Sequence, residues 1–195
     1  MTRRWAMVAV FTAFMAVRVD AASATEAAWA LISGGGYTIL LTNADAPGIG
    51  DPPYFELDDC STQRNLSDRG RQQSHRWGVK FATRSISISR LYSSRWCRAL
   101  DTAANAFRSP ALEPLPALDL IQEGDSDVDA KIDGVMEVIR NFRGPGNQVM
   151  VTHDVNVEAL TGVTPRTGEA LIVVPKKEVG EGEPPLRVIN EILLN

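Results

Sequence analysis

The side chains able to do chemistry stand at strand ends and in a cysteine pair. Asn43 closes the apolar run Tyr37-Thr-Ile-Leu-Leu-Thr-Asn-Ala44, and His153 follows the run Gln148-Val-Met-Val-Thr152. A carboxamide donates and accepts hydrogen bonds but has no titratable nitrogen, whereas an imidazole changes charge near neutral pH. Asn43 can therefore bond an anion's oxygen but cannot attack an electrophile and carry the transferred group. His153 is open to two readings, a catalytic or anion-binding ring, or a histidine satisfied at a strand end. Cys60 and Cys97 are the only cysteines, so one intramolecular pairing is available, and both a disulfide and two buried thiols stay open from sequence.

These residues need strands to carry them and helices to cover the strands. The run 37–44 follows three glycines and reads as a strand buried on both faces of a parallel sheet, whose carboxyl end is where open α/β sheets bind ligands. Residues 45–60, rich in Pro, Gly and Asp, read as a long loop. Ser67 offers an N-cap for a helix to about Phe81, with Trp77 and Phe81 on one face. Ile88 to Ser94 reads as a strand and Cys97 to Phe107 as the next helix. A strand near Leu112 to Leu120 is limited by Pro114 and Pro116 to an edge or an irregular segment. Val128, Ile132, Val135, Met136, Ile139 and Phe142 trace a helical face closed by Gly144-Pro145-Gly146. Gln148 to Thr152 is a buried strand, a short helix to Leu160 follows, and 170–174 and 186–194 are the last strands. The alternation predicts a three-layer α/β/α sandwich with a mostly parallel sheet.

With 195 residues, 44% of them hydrophobic, and a net charge of -4, the composition fits one soluble globular domain and excludes a disordered or nucleic-acid-coating chain. Thr2-Arg-Arg followed by the apolar run 5–17 suits a secretory leader, with small-residue cleavage patterns at 19–21 and 22–24. We expect a signal peptide over 1–24, a domain over 25–195, export to a periplasmic or extracellular compartment, and no stable membrane span after cleavage. An uncleaved anchor is the alternative. Such a compartment would permit the Cys60–Cys97 bridge.

Four stretches, in order, resemble motifs of the histidine phosphatase superfamily, also called phosphoglycerate-mutase-like. Tyr37 to Ala46 is similar to the first strand of that family, which normally ends in Arg-His and here ends in Thr42-Asn43. Leu66-Ser67-Asp68-Arg69-Gly70-Arg71-Gln72-Gln73 resembles its helix-start motif. Ser93-Ser94-Arg95-Trp96-Cys97-Arg98-Ala99-Leu100-Asp101-Thr102-Ala103 resembles its Ser-Ser-x-x-x-Arg-Ala-x-x-Thr-Ala signature, and Val149 to Asp154 its late strand with the second active-site histidine. The stretches reach across 37–174.

The resemblance implies a site in which the first histidine attacks phosphorus, a second histidine and arginines grip the non-bridging oxygens, and a carboxyl group protonates the leaving oxygen. No cofactor or metal is implied. In this sequence the nucleophile position is Asn43 and the neighbouring arginine position is Thr42. Arg98 and His153 keep phosphate-binding positions, and Arg64 is a further candidate. Glu123 is the first candidate for the acid and Asp125 the second. His75, the other histidine, reads as a surface residue. The resulting expectation is an exported, catalytically impaired relative, a pseudoenzyme, that binds a phosphorylated molecule or phosphate-like anion. The alternatives are a phosphomonoester hydrolase working through His153 or another group, and a structural or interaction protein. The oligomeric state is not legible.

Overall fold

The computed structural model describes residues 21–194. Its elements run α1 (Ala21–Ser33), β1 (Thr38–Thr42), α2 (Asp68–Thr83), β2 (Ile88–Ser93), α3 (Cys97–Ala106), β3 (Leu112–Pro114), α4 (Val128–Asn141), β4 (Asn147–Thr152), α5 (Asp154–Thr161), β5 (Ala170–Pro175) and β6 (Leu186–Ile192), with short 3-10 turns at Cys60–Thr62 and Pro116–Leu118. The strands form one sheet in the order β3-β2-β4-β1-β5-β6. β1, β2, β3 and β4 are parallel to one another, and β5 and β6 add antiparallel pairings at one side.

The pleat divides each apolar run between two cores, because successive side chains point to opposite faces. Ile39, Leu41, Val149 and Val151 face one layer, where they pack with Trp29 and Ile32 of α1, Trp77 and Phe81 of α2, and Ala99 and Ala103 of α3. Leu40, Met150, Leu171 and Val173 face the other, against Val135, Met136 and Ile139 of α4 and Val157 and Leu160 of α5. This is the predicted three-layer sandwich. Trp29, Trp77, Phe81 and Phe107 form a continuous cluster of tilted and edge-to-face aromatic contacts, with centroid separations of 5.0 to 6.1 Å.

The segment read as a strand over 112–120 supplies only the three residues of β3, then a 3-10 turn. Pro114 and Pro116 remove the N–H groups a longer ladder would need. The helix α1 was not anticipated, although Ala28, Trp29 and Ile32 have the spacing of a helical face. Most of the leader expected over 1–24 lies outside the described residues. Among the described residues no helix is long and apolar enough to cross a membrane.

Candidate active site

Parallel pairing is what gathers the site. Thr42 lies opposite Thr152, and Ser93 opposite Val151, so Asn43, His153 and Ser94 emerge together at one sheet edge. The ladder runs one residue past each strand: Asn43 N–H donates to Thr152 O at 2.8 Å and Ser94 N–H to Val151 O at 2.9 Å.

His153 is 1% exposed, with Nδ1 3.2 Å from Asn43 Oδ1 and Nε2 2.9 Å from Ser94 Oγ. The Asn43 amide nitrogen donates to Ala44 O at 3.0 Å, which fixes Oδ1 as the atom facing the ring. An amide oxygen only accepts, so Nδ1 carries the proton and Nε2 accepts from the Ser94 hydroxyl. Burial first, then the positive charges of Arg98 and Arg64, hold the His153 pKa well below its ordinary 6.5. The ring is therefore neutral, with both nitrogens engaged. Ser94 is fully buried, and its oxygen also accepts from Trp96 N–H at 3.2 Å.

Arg98, in the first turn of α3, is 1% exposed and is met by a carboxylate that sequence reasoning missed. Asp51, in the long loop after β1, accepts from Arg98 Nη1 at 2.9 and 3.1 Å through its two oxygens. It also accepts from Trp96 Nε1 at 3.1 Å and from Arg64 N–H at 3.0 Å. The side chains of the pair are 1% and 4% exposed. Burial pushes the Arg98 pKa down, and Asp51 opposes that shift. The one sequence signal for Asp51 was its place in a long Pro/Gly loop facing the sheet edge, which names a region and not a residue.

Arg64 donates from Nη1 to Ala46 O at 2.5 Å and to Gly48 O at 3.3 Å, so it braces this loop from below. Cys60 and Cys97 are joined by a disulfide, tying the far end of the loop to the residue before Arg98. Gln63 Oε1 accepts from Cys97 N–H at 3.0 Å, occupying a backbone donor at the α3 start that Trp96 leaves without a side-chain cap. Asp119, also missed from sequence, takes the Arg95 N–H at 2.8 Å and Nε at 2.7 Å.

The motif residues that match the resemblance have a visible structural task. Gly70 lets α2 approach the chain after β1, since a Cβ there would stand 2.1 Å from Asp45 O. Gln73 accepts from Asp45 N–H at 3.0 Å and donates to Thr167 O at 3.1 Å. Thr102 accepts from Ala44 N–H at 2.9 Å and donates to Arg98 O at 2.7 Å. Together they hold the backbone of 44–45, and with it Asn43.

A cleft of about 700 Å³ opens over this edge, and Asn43, Asp51, Arg64, Arg98, Glu123 and His153 are among its lining residues. Glu123 is exposed at its rim. Asp125 is not among the lining residues and pairs with Lys131 at 2.7 Å. Thr42 does not line the cleft either. Its hydroxyl donates to Arg166 O at 3.1 Å and accepts from Gly168 N–H at 2.6 Å, and the residue is 2% exposed. A depression of similar volume, about 710 Å³, lies by Ser89, Glu137, Gly144 and Gln148 at the opposite sheet edge, and contains none of the candidate residues.

No family model and no curated protein matches the sequence. Solved structures do match. The protein histidine phosphatase SixA complexed with tungstate superposes with a TM-score of 0.53 at 18% identity, covering 80% of this chain and 96% of its own. A putative alpha-ribazole-5'-P phosphatase from Escherichia coli K-12 gives 0.53 at 15% identity over 79% and 96%. A mycobacterial glucosyl-3-phosphoglycerate phosphatase complexed with VO3 gives 0.52 at 14% identity over 79% and 97%. At such identities likeness speaks for architecture and leaves activity to the site. The fold of this chain is that of the histidine phosphatases.

Proposed function

We propose that this protein is an exported member of the histidine phosphatase superfamily that binds a phosphorylated molecule or phosphate-like anion in the Arg98–His153 cleft and does not turn over phosphomonoesters through a phosphohistidine. The observation that carries the reading is the hydrogen bond from His153 Nδ1 to Asn43 Oδ1, 3.2 Å long, at the strand end where the resemblance expects the attacking histidine. A carboxamide at that place can orient a neighbour or an oxyanion, but its nitrogen lone pair is delocalised into the carbonyl and it offers no basic nitrogen to attack phosphorus and carry the phosphoryl group. Arg98 supplies planar donors suited to an oxyanion. Neutral His153 has its Nε2 lone pair committed to Ser94 and its Nδ1 proton to Asn43, which speaks against His153 as a substitute nucleophile.

The test is phosphatase activity toward an aryl phosphate, measured for the wild type, Asn43→His, and the Thr42→Arg, Asn43→His double variant, each with a folding check. The wild type is expected to be inactive and to bind tungstate in an Arg98-dependent way. Turnover by the wild type at ordinary enzyme rates, abolished by Arg98→Ala, would overturn the reading.

A further inference from the structure

Asp51 satisfies the description of a ligand better than that of a loop residue. Its two oxygens receive N–H groups from Arg98, Trp96 and the Arg64 backbone, a set of charged and neutral donors around one anion. Beyond those contacts the segment is held at its start by Arg64 Nη1, which donates to Ala46 O and Gly48 O, and it buries little apolar surface. Ile49 and Tyr54 are fully exposed, while Gly48, Gly50 and Tyr54 have positive φ values of 101°, 68° and 66°. Phe55, which packs at a tilt against Trp96 with ring centroids 5.7 Å apart, is the first aromatic anchor after Asp51. Segments with few buried apolar contacts open locally at low cost.

We infer that Asp51 is an internal ligand of the cleft: its tethered carboxylate occupies the Arg98 seat, and an external oxyanion enters by displacing it and the 48–54 turn with it. The inference rests on the anion-binding reading above and adds a selection rule. A group tethered on a short flexible segment competes at an effective concentration on the order of millimolar. A singly charged, weakly held anion does not displace it at lower concentrations. A ligand with more charge, or with further contacts along the cleft, does. Arg98 Nε, buried and without a partner, is a donor left over for an oxyanion with more oxygens than a carboxylate has.

The experiment is a calorimetric titration of the purified protein with tungstate, comparing wild type, Asp51→Asn, and Asp51→Asn combined with Arg98→Gln. Asp51→Asn is expected to bind at least about ten-fold more tightly than wild type, with one site per chain, and the added Arg98→Gln to abolish binding. Equal affinity in wild type and Asp51→Asn, with binding still lost on Arg98→Gln, overturns the internal-ligand inference and leaves the anion-binding reading standing. No binding by any folded form overturns both. If Asp51→Asn does not fold, Asp51→Ala is refolded with and without acetate, which restores the deleted carboxylate. Recovery of folded protein with acetate or tungstate supports the inference, and failure of both to recover it overturns it.

Discussion

Lowering the pH should destabilise this protein through His153 before most carboxylates titrate. The neutral ring is 1% exposed, and burial followed by the charges of Arg98 and Arg64 holds its pKa well below 6.5. In the unfolded chain the ring returns to about 6.5. As pH falls, the unfolded chain therefore binds the proton first, so the contribution of His153 is complete above that value and is lost below it. Within the window between the unfolded and folded values the slope is about 1.4 kcal/mol per pH unit. The assay is urea unfolding at half-unit pH steps for wild type and His153→Gln. His75 and the carboxylates are common to both proteins, so the difference between the two curves isolates His153. The variant is expected to start about 1–3 kcal/mol less stable, because Ser94 and Asn43 lose a partner, and to close the gap as pH falls. Parallel curves would refute the assignment of a buried neutral ring.

Replacing Cys60 and Cys97 together by Ser, which frees a sequence separation of 37, should cost about 4 kcal/mol on a chain-entropy estimate, read from urea midpoints under oxidising conditions. Gly78→Ala would set a Cβ 2.1 Å from Ala106 O and should destabilise by about 1–3 kcal/mol as α2 and α3 are forced apart, seen as a lower Tm. Gln73→Ala should cost about 1–2 kcal/mol and speed amide exchange at Asp45, whose N–H it releases.

How far sequence reached depended on whether a residue's neighbours are local. The strands were legible because both faces are buried and their centres are continuously apolar, as at 39–41 and 149–151. The Ser67 cap was legible because its partner, Gly70 N–H, is three residues away. The motif around Arg98 and His153 located the sheet edge. Asp51 was not legible as a partner of Arg98, because their contact spans 47 residues and no periodicity encodes a loop folding back. Ser94 was quoted as part of a motif, yet its bond to His153 spans 59 residues and follows only from strand register. In 112–120 the prolines made an edge or irregular segment legible, and the structure has there the three-residue edge strand β3 followed by a 3-10 turn.

Thr42 limits which residues its own position can accept. Its hydroxyl clasps the turn before β5 from both sides, through Arg166 O and Gly168 N–H. An arginine at this position would have to break both bonds and find room for a guanidinium in a place 2% exposed. A variant given a histidine at 43 would thus meet a second obstacle, in a different part of the chain, before it could also carry an arginine at 42. Substitutions elsewhere, first of all in 166–168, would have to come earlier, which makes the order of changes, and not their number alone, the constraint on building an Arg-His pair into this chain.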